Sequence, residues 1–496
     1  MSSYKDESFR RESDSLDDVE MQERDSDSRG EQEDRLLPSE DTDEVGEIKY
    51  KVEWHLRTGW AIALSVLAAG LALVGLVLFT KLFIVGSTVA VEDADLEVVG
   101  IGGFRRPASD YILDPSWDIN AAPTVRQYEW KVVDIVANPD GVFRPMITIN
   151  GKFPGPMIEC NEGDTIIVDI DNQSVNATSI HFHGIYQNGT NHMDGTSGIT
   201  QCPIASRRKF QYKFTITGQS GTYYYHGHQA IQISDGLYGP LVIHSRNEKK
   251  LQHIPYATDR VVMLQDYYHE LSSGLLVTNL EPGNEAPPIP NGALINGLNK
   301  RDCSQLPGRM CDNSTATVPA FELAANAHHR LRFINAGAFA WFQVSVDEHE
   351  FAITEADGTD VVPTYDSRMM IAPAQRYSMV INTNQTDMDL FWLRARMVTH
   401  CWAEPELPGP GADEVKAVIH YTKSKQPQQG LISQPTSRAW TQGMEMQCRD
   451  MNTTSWEPAS FEPAPSEADY SYYLRANLEI GDWYADFCYS RPLFNY

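Results

Sequence analysis

Basic residues are scarce in this chain. Across 496 residues, 40 lysines and arginines face 67 aspartates and glutamates, a formal net charge of −27. A surface of that sign repels phosphate backbones, which excludes nucleic acid as a partner. Cysteine is missing from the first 159 residues and asparagine from the first 58. That leading stretch, 1–58, holds 9 basic against 19 acidic residues and few aromatic or β-branched ones. It lacks the apolar surface needed to offset its ordering entropy, so a disordered acidic tail is expected there. Beyond residue 125 convincing helical periodicity is rare, which argues against a helical bundle.

Charge vanishes altogether in "GWAIALSVLAAGLALVGLVLF", residues 59–79. A run of 21 such residues is long enough to cross a hydrocarbon core of about 30 Å as a helix, and 59–80 is read as a transmembrane signal anchor. The leader is too long and too acidic for a cleaved signal peptide. Lys49, Lys51 and Arg57 precede the run, while Lys81 alone lies close behind it. This asymmetry puts the N-terminus in the cytosol and the remainder outside the cell or in a secretory or vacuolar lumen. Six Asn-x-Ser/Thr sequons, at Asn172, Asn176, Asn188, Asn313, Asn384 and Asn452, all follow the run, as expected of a glycoprotein. All seven cysteines follow it too, where disulfides persist, and an odd count leaves at least one unpaired.

Residues 81–125 mix Gly, Pro and charge and read as a juxtamembrane linker. Strand signals follow. "DTIIVDIDNQ" sets Ile166, Val168 and Ile170 on one face and Ile167, Asp169 and Asp171 on the other, the period of a half-buried strand. Similar segments separated by Gly, Pro, Asn and Asp predict an all-β chain of antiparallel sandwiches. Two units are expected, 126–247 and 258–425, followed at 426–496 by a Pro-rich linker and a third unit that only begins.

The chain has 14 histidines, and two His-x-His triplets stand within fifty residues of each other. "HFHGIYQNGTNHMDGTSGITQCPI" opens with His181 and His183, and "GTYYYHGHQA" carries His226 and His228. Residues i and i+2 of a strand share a face, so each pair projects one way. If the two segments lie side by side, four imidazoles converge, and neutral imidazole is a ligand for copper, zinc and iron.

These segments, together with "DGLYGPLVIH", resemble the first-domain copper signatures of multicopper oxidases, the family of laccases, ascorbate oxidases and ferroxidases. The stretches "LQDYYHE", "PPIPNGALING", "HRLRFINAG", "EADGTDV" and "IAPAQRYSMVI" resemble that family's middle domain. The resemblance implies tandem cupredoxin-like Greek-key sandwiches. It implies one-electron oxidation of a small reducing substrate, coupled to reduction of dioxygen to water. It assigns His181 to a type 2 copper and His183, His226 and His228 to a type 3 pair. Asp194 would assist proton delivery; its other reading is a turn residue before Gly195. Cys202 would bridge to the second domain through Cys303 or Cys311, although those two can instead pair with each other. The middle domain supplies no ligand in this family, so His328, His329 and His349 are read as surface or core residues.

The family's third-domain motifs, of His-Pro-x-His-Leu-His and His-Cys-His type, are not in this sequence. Half of the ligands for type 2 and type 3 copper are therefore present and the type 1 site has none. A truncated product or incomplete gene model is expected, with a naturally shortened protein as the other possibility. Glu285, in "NEAPPIP", stands two residues earlier than the acidic residue of the family's ferroxidases, so phenol and Fe(II) both remain open as substrates. The competing reading is a non-catalytic cupredoxin-fold module at the cell surface. Nothing in the sequence specifies an oligomeric state.

Overall fold

The computed structural model describes residues 103–478 and 492–495, apart from 282–285, 403–410, 423–433, 441–443, 462, 464–465 and 474. The acidic tail, the apolar run and Glu285 lie outside the described residues.

Eight strands build the first domain: β1 (Val125–Ala137), β2 (Arg144–Ile149), β3 (Ile158–Asn161), β4 (Thr165–Asn172), β5 (Ile180–His183), β6 (Arg208–Thr215), β7 (Gly221–Gly227) and β8 (Tyr238–His244). They form two sheets, ordered β2-β1-β4-β6 and β3-β8-β7-β5. β4 follows the expected alternation, with Ile166, Val168 and Ile170 buried and their neighbours half-exposed. Those side chains meet Phe182, Tyr212, Tyr225 and Leu241 in one core, each aliphatic among them contributing about 1.5–3 kcal/mol by leaving water.

The second domain has eleven strands: β9 (Thr258–Tyr267), β10 (Gly292–Ile295), β11 (Ala320–Ala324), β12 (His328–Asn335), β13 (Phe342–Val346), β14 (Phe351–Ala356), β15 (Thr359–Asp366), β16 (Met369–Ile371), β17 (Arg376–Asn382), β18 (Leu390–Met397) and β19 (Glu414–Thr422). Their sheets run β10-β9-β12-β17-β14-β15 and β11-β19-β18-β13-β16. The sandwiches are not purely antiparallel. β1 runs parallel to β4, β3 to β8, β9 to β12 and β11 to β19. Long connections bring non-consecutive strands together, the mark of Greek-key winding.

A third core joins the domains. Ile135, Met146, Tyr224 and Tyr238 of the first pack with Val261, Met263, Tyr267 and Ile334 of the second. Phe104 and Leu113 enter the same core, so this part of the expected linker is a packed strap. Its backbone is tied to both sides: Phe153 N–H donates to Phe104 O (2.9 Å) and Leu113 N–H to Asp259 O (3.0 Å). At the other end, residues read as linker also lie against the second domain. Trp440 Nε1 donates to Val346 O (3.0 Å), Met451 and Trp456 pack on the core, and Cys448 is bonded to Cys401. Beyond this strap, Arg475–Leu478 pairs antiparallel with Pro492–Asn495. Cys303 is bonded to Cys311, which leaves Cys202 an exposed free thiol with no bridge to the second domain.

Buried charge also spans the junction. His244 sits between Glu159 Oε1 (3.0 Å) and Glu248 Oε2 (2.8 Å). Both partners are acceptors, so the ring donates from both nitrogens and carries a charge. Burial pulls its pKa down, but the hydrogen bonds to Glu159 and Glu248 outweigh that and leave it raised. Glu248 in turn meets Arg330 (3.2 Å) and Arg332 (2.8 Å) on β12.

Because the folded pKa is the higher one, the contribution of His244 is complete below about pH 6.5 and fades as pH rises through the folded value. Urea titrations between about pH 6 and about pH 8.5 are expected to show this loss in the wild type. His244→Gln is expected to cost roughly 2 kcal/mol at the acid end and to flatten the slope. An unchanged slope in the variant refutes the assignment.

Candidate metal centre

β5 and β7 pair antiparallel in a register that sets His181 opposite His226 and His183 opposite Tyr224. Along β5, Ile180 and Phe182 point into the core, which turns His181 and His183 to the other face. His228 lies one residue past β7, held by its N–H on Ser179 O (3.0 Å). All four rings gather: the His181 centroid is 5.5, 5.3 and 5.4 Å from those of His183, His226 and His228.

One nitrogen from each of His181, His183 and His226 lies within 4.8 Å of the other two. The donor set fits a metal such as copper. Nδ1 of His181 faces the carbonyl of Asp194 at 2.7 Å, and Nδ1 of His226 faces the carbonyl of Gly227 at 3.1 Å. A carbonyl only accepts, so each Nδ1 carries the hydrogen and each Nε2 keeps its lone pair. The free Nε2 of His226 then lies 3.3 Å from Nδ1 of His183. Desolvation favours the neutral form of His181, His183 and His226, the form that binds metal. It lowers the His226 pKa to about 3, and burial with the nearby Arg376 guanidinium lowers that of His183 to about 3 as well. Burial also lowers His181, against the opposing pull of Asp194.

Asp194 ends the short 3-10 turn Asn191–Met193 and occupies a turn position. Its carboxylate is nevertheless within 3.3 Å of His181 Nδ1 and accepts from Thr196 Oγ1 (2.7 Å). Gly195, with φ +88°, lets this loop lie on β5; a Cβ there would stand 1.8 Å from Ile180 O.

Tyr224, not singled out from the sequence, stacks on His183 (4.7 Å, 24°) and His226 (5.3 Å, 27°). Period 2 along β7 was the available signal, since Tyr224 and His226 share a face. Elsewhere, His400 lies near Cys401 and Cys448, but the disulfide leaves those sulfurs without thiolate character. His329 is buried between Thr258 Oγ1 (2.7 Å) and Ala324 O (2.9 Å), and His349 between Asp347 O and the Tyr421 hydroxyl.

Gly195→Ala is expected to lift the Asp194 loop from β5 and cost roughly 2 kcal/mol, from a left-handed backbone and the collision with Ile180. Urea denaturation checks this. Wild-type stability in the variant would mean that the loop is not seated as described.

Two models described as multicopper oxidase match residues 131–248 and 258–422. Laccase-1 of Cryptococcus neoformans var. neoformans is 35% identical over 407 residues, 79% of this chain and 63% of its own length. An iron transport multicopper oxidase of Epichloe festucae is 39% identical over 280 residues, 55% of this chain and 41% of its own. Among solved structures, the laccase of Botrytis aclada aligns with TM-score 0.58 and 31% identity, covering 68% of this chain and 60% of that one. Fet3p, a multicopper oxidase that functions in iron import, aligns with TM-score 0.60 and 25% identity, covering 71% of this chain and 61% of that one. This chain thus spans about 63% of the length of the first of these curated relatives. Both folded domains match models of one description and the imidazole cluster lies inside the first, so the chain belongs to the multicopper oxidase family.

Proposed function

We propose that the chain is the copper-binding part of a membrane-anchored oxidase that oxidises a small reducing substrate one electron at a time and reduces dioxygen to water. The observation that carries this reading is the group of converging imidazoles, two of which, His181 and His226, are fixed in tautomer by the carbonyls of Asp194 and Gly227. His181 would hold a type 2 copper, and His183, His226 and His228 a type 3 pair. Bound copper supplies the one-electron steps that dioxygen requires and that side chains alone do not provide. Asp194 Oδ2, close to His181 and fed by the Thr196 hydroxyl, is positioned to hold a proton beside the cluster. Tyr224 and the buried face of β7 keep water from the back of the rings.

None of the eight histidines after His228 stands in a His-x-His pair. Copper held by these four alone is bound weakly, because affinity follows ligand count and preformed geometry. The same observation favours a second reading, a non-catalytic cupredoxin-fold surface module. The second reading allows at most about one copper per chain and no oxygen uptake, so copper stoichiometry and oxygen uptake together separate the two. The oxidase reading expects bound copper that falls in His183→Ala and His226→Ala, with oxygen uptake on a phenol or on Fe(II) once a full ligand set is supplied. Absence of histidine-dependent copper binding would remove it.

We also infer that 59–80 anchors the chain, with the following residues lumenal or extracellular. Among the described residues no helix is long and apolar enough to cross a membrane. Asn188, Asn384 and Asn452 are exposed, whereas Asn172 is fully buried and its amide donates to Asn176 O and Ile204 O (both 2.9 Å). Mass spectrometry before and after deglycosylation is expected to find glycan on the exposed sites and none on Asn172. A chain bare at every sequon would contradict the proposed orientation.

A further inference from the structure

The strand that leads to His226 and His228 begins against the second domain. At its first residue, Gly221, a Cβ would lie 2.6 Å from Glu355 Oε1 and 2.7 Å from Gly358 Cα. Thr222 follows, and every polar group it owns bonds to a side chain of the second domain. Its N–H donates to Glu355 Oε1 (2.6 Å) and its hydroxyl donates to Glu355 Oε2 (2.9 Å). The hydroxyl oxygen accepts from Arg332 Nη1 (3.1 Å), and the carbonyl accepts from Arg376 Nε (3.1 Å).

Glu355 is fully buried and anchored on its own side by Arg330 Nη2 (2.7 Å) and Ser378 Oγ (2.5 Å). Charge-assisted bonds of this kind are short, strong and directional. Arg376 also lies over the Tyr223 ring at 5.3 Å and packs against Gly184, the residue after His183. Residues i, i+2 and i+4 of a strand share a face, so Thr222, Tyr224 and His226 point the same way. Tyr224 is stacked on both His183 and His226. A shift at Thr222 therefore reaches two rings of the cluster through one aromatic side chain.

We propose that Glu355, assisted by Arg376, is a positioning residue for the histidine cluster: the second domain sets the placement of β7 by gripping Thr222. This rests on the reading of the cluster as a copper site. The bland alternative makes Glu355 only the counter-ion of Arg330 and Arg332. Thr222→Val tests between them, because it removes the gripped hydroxyl while the Arg330–Glu355 and Arg332–Asp259 ion pairs keep their own partners.

The experiment uses the full chain and Glu355→Gln, Thr222→Val and Thr222→Ser. Amide hydrogen exchange is followed in 221–228 and, as a control in the opposite sheet, in 165–172. Copper(II) is titrated in parallel against a chelator of known affinity. Glu355→Gln and Thr222→Val are expected to speed exchange in 221–228 alone and to weaken copper binding roughly 10-fold or more. Thr222→Ser is expected to restore both. Unchanged exchange in 221–228, equal acceleration in 165–172, or failure of the serine variant to rescue would overturn the inference. If the wild type binds no copper, the proposed function falls, and the exchange arm still decides whether Glu355 places the strand.

Discussion

β5 and β7 meet so that His181 faces His226 while Ile180 and Phe182 fill the core behind them. A slip of one residue would turn the isoleucine and phenylalanine outward and bury the histidines. The hydrophobic demand of the first-domain core therefore holds the histidines in place before any metal is considered. It also removes water from the rings, and that desolvation keeps His183 and His226 neutral well into acid.

Behind the β5–β7 pair, charge is buried where the two domains meet. Arg332 makes two bonds to Asp259 (2.8 and 2.7 Å), shares Glu248 with Arg330, and faces Glu355. Taking such groups out of water is costly, and the cost is offset only where geometry is good and the remaining donors are satisfied. Here the arginines lie among carboxylates and Thr222 and Ser378 complete the shell of Glu355, while Arg330 Nε is left without a hydrogen-bond partner among the described residues. Such a network favours one docking of the domains over neighbouring ones. That selectivity matters because β7, which carries His226, begins in it.

Two segments with the composition of linkers became straps. The first, around Phe104, Tyr111 and Leu113, has Gly, Pro and charge between its anchors and no period that marks an element. The second carries Trp440, Met451 and Trp456 among prolines and acidic residues. In both, a few apolar side chains find a groove made by strands far away in sequence, which local composition does not reveal. The pairing of Cys303 with Cys311 is of the same sort. Both that bridge and one to Cys202 were compatible with the sequence, and chain path chose between them.

Period-2 patterning sufficed to place Ile166, Val168 and Ile170 inside and to put each histidine pair on one face, because both follow from bonds between near neighbours. Imidazole chemistry left copper, zinc and iron open, and the motifs around the histidines pointed to a copper family. Tertiary structure alone decided the parallel pairings, the tautomers set by the carbonyls of Asp194 and Gly227, and the grip of Glu355 on Thr222 from 133 residues away. Contacts of that separation depend on how two sandwiches dock, and docking is settled by the fit of buried surfaces and charges that no short stretch of sequence contains.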